Sequence, residues 1–323
     1  MKDTGLFSLP DSFRGDYLVE YINSTVFYLI FAGITFYIFY VAGKKTFARF
    51  KIQERLTKKK NVIREIKYSL LSLAVFSSIA IIIYHLLQHG YTKMYTDFSE
   101  YGTAYFAFTC VAMIFINDAF FYWAHRFIHW KKIYKHVHKV HHLSTDPTPW
   151  AALSFHPFEA MVLSVFQLSI VFIFPIHYWA TLVVALFTML YNFMGHLGYE
   201  MFPDRFATNK FTKWSNTATH HNMHHKLFHW NFGLYFNFWD RLMGTQHPEY
   251  EKEFAKVRLK AKALKPDIIA THKTKMPEQQ TLKQKLKKQL EPKLNLTDIL
   301  PDGKVLKEGD KNELILDIEK RNS

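Results

Sequence analysis

The sequence predicts an all-α, multi-pass membrane protein whose transmembrane helices carry a histidine-rich helical catalytic cap facing the cytoplasm. Three observations predict it. Apolar residues make up 49% of the 323 and gather into blocks long enough to cross a bilayer. A run of lysines and arginines follows the first block directly. Eight of the 18 histidines fall into three tight groups, each placed beside the end of an apolar block or in the stretch that follows one.

The first block covers roughly residues 25–43, which at about 1.5 Å per residue spans a hydrocarbon core of roughly 30 Å. Lys44, Lys45, Arg49, Lys51, Arg55 and Lys58 to Lys60 come next. The positive-inside rule makes that loop cytoplasmic and the N-terminus external. A second block near 68–87 returns the chain to a short loop containing Asp97 and Glu100. A third near 101–124 comes back and delivers His125 to the cytoplasmic face. Between 158 and 195 two further blocks are broken by Phe174-Pro175-Ile176, where proline removes a backbone donor and disfavours helix at the residue before it. The expected result is a hairpin that enters and leaves from the cytoplasmic side.

Three regions follow. Residues 1–60 form an N-terminal segment with the first transmembrane helix, 61–250 a membrane catalytic domain, and 251–323 a basic tail, either amphipathic helix or disordered. A chain cut near Lys252 should then keep its chemistry. No small-residue cleavage pattern accompanies the first block, so no cleaved signal peptide is expected.

The net charge of +14 has no nucleic-acid-binding motif to accompany it, and its basic residues lie beside apolar segments and in the tail. Anionic lipid headgroups are the expected partner. The single cysteine, Cys110, lies inside an apolar stretch, which excludes an intramolecular disulfide and a thiolate metal cage. Metal chemistry therefore falls to histidine and carboxylate.

The three groups are His125-Arg-Phe-Ile-His129, His138-Lys-Val-His141-His142 and His221-Asn-Met-His224-His225. On a helix, residues three or four apart share a face with Cβ atoms about 5–6 Å apart, so each group presents a face of imidazoles able to converge on a metal. Eight are too many for one four-coordinate zinc, which implies two ions. His196 emerges at the same level after the hairpin and joins the candidate ligands. His136 and His220 adjoin the groups but fall outside the spacing. Asn192, one turn before His196, would hold a metal-bound water or cap the helix. His156, in Phe155-His-Pro157, would be a ligand, line the substrate path, or serve only its loop. Asp118, seven residues before His125, would accept a ring N–H from a bound histidine or form a salt bridge to Arg126 or Arg241.

In order and spacing, HxxxH, HxxHH and HxxHH between membrane helices resemble the fatty acid hydroxylase and sterol desaturase superfamily, with its sterol C5-desaturase branch the nearest likeness. The resemblance runs from Arg64-Glu-Ile-Lys67 through Tyr134-Lys135, Pro147-Thr-Pro149, Phe155-His-Pro157 and Phe172-Ile-Phe-Pro175 to Asn231-Phe-Gly233 and Trp239-Asp-Arg-Leu242. It implies two iron ions, O₂ as co-substrate, and electrons from an external carrier such as cytochrome b5 or ferredoxin. It implies His125, His129, His138, His141, His142, His221, His224 and His225 as ligands, with His196 as the family's additional histidine. One position departs: Leu153 stands where sterol desaturases carry a histidine. That departure bears on the substrate and leaves the metal chemistry untouched.

An unactivated C–H bond has no acidic proton to remove, so its oxidation needs a redox-active metal, a capacity zinc lacks. Neither a GxGxxG fingerprint nor a fused haem motif is present, hence the external electron carrier. Lys131, Lys132, Lys135 and Lys139 either dock that carrier or simply follow the positive-inside rule. Desaturation of a sterol or similar polycyclic lipid is the leading expectation. Hydroxylation of an acyl, alkyl ether or carotenoid chain is a second, and a non-catalytic metal- or lipid-binding membrane protein a third. The setting is a bacterial inner membrane or the endoplasmic reticulum.

Overall fold

The computed structural model describes residues 13–55 and 57–264, and helix dominates them. Four helical stretches among these are long and apolar enough to cross a membrane: Arg14–Ala42, Lys59–Gln88, Gly102–Ile128 and Tyr178–Gly195. The first joins α1 (Phe13–Phe36) to a π-helical turn, Tyr37–Ala42, and α2 (Lys44–Phe47) is a single turn in the basic loop. The next two are α3 (Lys59–Gln88) and α4 (Gly102–Ile128), each longer than its apolar block by a turn or more. In the four apolar windows only 11% to 22% of residues are buried inside the protein, so most of their surface faces lipid.

The predicted hairpin is α7 (Pro157–Ile173) and α8 (Tyr178–Gly195). α7 stops where Phe174 turns extended ahead of Pro175. Its connection pairs with a distant loop: β2 (Ile176–His177) lies parallel to β1 (Met94–Tyr95). This ladder closes the end of the bundle away from the histidines. Around it Met94, Met113, Phe166, Ile170, Ile176 and Val184 form the larger core. A second core of Tyr28, Ala32, Leu73, Ala152 and Phe193 fastens α1 to α3 and α8.

The cap is built from α5 (Lys131–Val137), α6 (Lys139–His142), α9 (Ala218–Leu227), α10 (Phe238–Leu242) and α11 (Tyr250–Ala263). α9 is buried from Ala218 through His225. Such a helix needs its N-terminal donors satisfied inside the protein. Thr217 Oγ1 accepts from the His220 amide at 3.2 Å, and Glu200 accepts from the Thr219 amide at 2.9 Å and its hydroxyl at 2.7 Å. The basic loop lies against this cap. Gln53 Nε2 donates at 2.8 Å both to Thr145 O and to Asn222 Oδ1.

The first part of the expected tail is helical, with one face buried. Tyr250 and Phe254 of α11 pack with Ala207 and Met223, so the chain folds onto the cap as far as Ala263 instead of leaving it near Glu251. The remainder of the expected tail, 265–323, lies outside the described residues.

Candidate metal centre

The structure gathers all nine histidines singled out as ligands, and it sorts them into two groups. His125, His129, His138, His142 and His224 form one, His141, His196, His221 and His225 the other, with the ligand atoms of each within 4.8 Å of one another. Helical geometry does the sorting. His125 and His129 are four apart and share a group, as are His138 with His142 and His221 with His225. The neighbours His141/His142 and His224/His225 are turned by about 100° and serve different groups. The groups adjoin, since the His142 and His225 rings lie 5.0 Å apart. Gly195, with no side chain, lets the His221 ring close in: a Cβ there would stand 3.2 Å from the ring.

Five rings have their tautomer fixed from outside. Nδ1 of His125 donates to Phe232 O at 2.8 Å, that of His141 to Ser154 O at 3.2 Å, that of His196 to Asn192 O at 2.7 Å and that of His224 to Trp230 O at 2.7 Å. His138 Nδ1 donates to the buried carboxylate of Glu159 at 2.6 Å. Each of these Nε2 atoms therefore carries a lone pair. Yet His125 and His138 face each other Nε2 to Nε2 at 3.1 Å, and His141 and His196 at 3.4 Å. Lone pairs opposed at that range repel unless a cation lies among them. Nε2 of His196, His221 and His225 converge within 3.1 to 3.2 Å, and His224 Nε2 is buried with no hydrogen-bond partner. Burial pushes the rings of His138, His141, His142, His221, His224 and His225 well below the ordinary imidazole range, and neighbouring histidines add to it. They are held neutral, the state in which imidazole binds metal. The donor set thus fits two ions. All-imidazole ligation suits iron, copper or zinc.

Buried carboxylates surround the groups without entering either. Glu65 accepts from Ser144 at 2.7 Å and Thr148 at 2.5 Å, holding the loop after His142. Asp240 accepts from the amides of Phe232 at 2.9 Å and Gly233 at 2.8 Å. Glu65 and Glu200 act across longer stretches of sequence than Asp240, and none of the three was among the predicted site residues. Glu159 was also missed, although a lone carboxylate in an otherwise apolar helix is a signal in itself. Asn216 is a further omission: its side chain is buried with both polar atoms unpaired, beside His196 and His221 at a void of about 10 Å³.

The role expected of Asp118 changes. Asp118 reaches neither a histidine nor an arginine among the described residues; its Oδ1 accepts from the amides of Tyr235 at 2.8 Å and Phe236 at 3.2 Å. The ring it was expected to hold is held by Phe232 O, in the loop that Asp118 anchors. His156 joins neither group. It caps α7, its Nδ1 accepting from the Phe158 amide at 3.3 Å, with Pro157 in the first helical position. Asn192 does not cap α8: its amide donates to Thr188 O at 3.2 Å, and it borders both the void and a larger cavity. His220 is buried beside Asp240 at 3.7 Å and stands outside both groups.

The cavity has a volume of about 610 Å³ and runs between α1, α3, α4, α7 and α8. Its lining is mainly apolar and includes Phe155, Leu234 and the divergent Leu153. Phe155 in its wall lies 4.9 Å from the His141 ring, and Asn192 lines both this cavity and the void beside His196 and His221. On α8 its wall extends from Tyr178 to Asn192, roughly 20 Å of helix at about 1.5 Å per residue.

Residues 110–245 match the fatty acid hydroxylase family model. The chain is 31% identical over 235 residues to lathosterol oxidase of Rattus norvegicus, covering 70% of this chain and 77% of that protein. To lathosterol oxidase of Homo sapiens it is 32% identical over 189 residues, covering 58% and 62%. A Delta(7)-sterol 5(6)-desaturase of Gibberella zeae is 27% identical over 228 residues, covering 71% and 67%. No solved structure gives a significant match. With its membrane helices, its paired histidine groups and this identity over most of its length, the chain belongs to the fatty acid hydroxylase family of oxidoreductases.

Proposed function

We propose that this protein is a membrane-bound, O₂-dependent sterol C5-desaturase-like enzyme that introduces a C=C bond into a sterol or related polycyclic lipid. One observation carries the reading: nine histidines, eight of them buried, stand in two adjoining groups beside one end of a long, mainly apolar cavity. The names of the relatives supply the substrate class. His125, His129, His138, His142 and His224 would hold one iron ion, and His141, His196, His221 and His225 the second. Two such ions, once bound, supply the redox capacity that removal of hydrogen from an unactivated C–H bond demands.

The chain's own residues set the conditions for that chemistry. The backbone carbonyls and Glu159 keep the ring nitrogens aimed inward. Phe155, Leu153 and Leu234 line an apolar chamber that limits water near the reacting carbons. Lys131, Lys132, Lys135 and Lys139 are exposed beside the ligands, where they suit an acidic electron carrier such as cytochrome b5 or ferredoxin. The basic loop between α1 and α3 packs on the cap, which favours a cytoplasmic site. The endoplasmic reticulum or a bacterial inner membrane would house it.

Incubation with lathosterol under ¹⁸O₂ tests the reading. A 5,7-diene product without label is expected. Labelled oxygen retained in the lipid product would make the enzyme a hydroxylase, with the same histidines at work.

A further inference from the structure

The cavity has polar groups at both ends, and they differ in kind. Away from the histidines Asp16 and Glu20 line it, but both are engaged: Asp16 pairs with His85 at 3.0 Å and Glu20 accepts from Ser24 at 2.7 Å. At the histidine end stand Asn117, Thr188 and Asn192. Thr188 Oγ1 donates to Val184 O at 2.7 Å, so it accepts the Tyr235 hydroxyl proton in their close contact. The Tyr235 oxygen in turn accepts from Asn117 Nδ2 at 2.7 Å. With Asn117 Nδ2 engaged at Tyr235, its Oδ1 has no hydrogen-bond partner among the described residues. Asn192 gives its Nδ2 to Thr188 O at 3.2 Å, which likewise leaves its Oδ1 unpaired.

An acceptor in a buried, mainly apolar wall is costly unless a donor meets it. Asn117 is itself buried, and Asn192 shares the void beside His196 and His221. We infer that Asn117 and Asn192 form a polar subsite that accepts the hydroxyl hydrogen of a hydroxylated polycyclic lipid and so presents the neighbouring carbons to the histidine groups. The inference rests on the sterol reading above and deepens it. In a 3-hydroxysterol, C5 lies two bonds from the carbon bearing the hydroxyl. A hydroxyl held at Asn117 and Asn192 would keep C5 and C6 at that end of the cavity, with the rings and side chain extending along α8 toward Tyr178. The subsite would thus choose which carbons react, by position and without touching the metal.

Equilibrium binding of radiolabelled lathosterol and of its 3-deoxy analogue, cholest-7-ene, to the full-length protein in lipid nanodiscs tests this without turnover. The native protein should bind lathosterol at least tenfold more tightly, because a site built for a hydroxyl discriminates against its loss. Asn117→Leu and Asn192→Leu should each reduce that preference several-fold, mainly by weakening lathosterol, with iron content per chain unchanged. Equal affinity of the native protein for both lipids would overturn the subsite while leaving a sterol substrate in place. So would a full preference retained in both variants. If neither lipid bound, the sterol reading would fail and this inference with it. The native comparison needs no variant, so misfolding of Asn117→Leu would not rescue the idea.

Discussion

Nδ1 of His138 donates to Oε1 of Glu159 across 2.6 Å, with both side chains buried. The carboxyl group fixes the ring orientation. Glu159→Ala should lower iron affinity about 10–100-fold, the usual scale for losing such a partner, and Glu159→Gln should lower it less. Chelator competition measures this. Unchanged affinity in the alanine variant would remove Glu159 from the support of the site.

His141 belongs to the second group and His142 to the first. His141→Ala should therefore cut bound iron from two ions to one per chain, abolish turnover and leave membrane insertion intact. Retained turnover would take His141 out of the ligand set.

Asp118 acts on His125 through the backbone. Its removal leaves the buried amide of Tyr235 and that of Phe236 without an acceptor, in the loop whose Phe232 carbonyl holds the His125 ring. Asp118→Ala should cost about 1–3 kcal/mol of stability. Iron should loosen at the first group before the second, as followed by thermal unfolding and iron retention together.

The helix α11 separates two truncations that the sequence alone would treat alike. A chain ending after Leu264 should keep its iron and its turnover in detergent. One ending near Lys252 loses Phe254 from the packing around Met223 of α9. The single change Phe254→Ala should cost about 3–5 kcal/mol, and thermal unfolding of the three forms decides the matter.

The histidine groups were legible because their ligands lie three or four residues apart, a spacing that any helix turns into a shared face. Their division into two groups follows from the same geometry, since His141 and His142 cannot point the same way. Asp118 shows where that reasoning runs out. Seven residues place it on the face of His125 but about 10 Å away along the axis, beyond hydrogen-bond reach. That part of α4 meets the loop around Tyr235 instead. Glu65 and Glu200 hold segments brought to them by tertiary packing, and no local spacing announces such contacts. His156 had a local signal in Pro157, which marks a helix start.

Anaerobic loading with ferrous iron, followed by an iron count and Mössbauer spectroscopy, tests the central claim most directly. The account predicts two iron ions per chain in adjacent nitrogen-ligated sites, with one lost in His141→Ala. A single ion per chain that survives His141→Ala unchanged would contradict it.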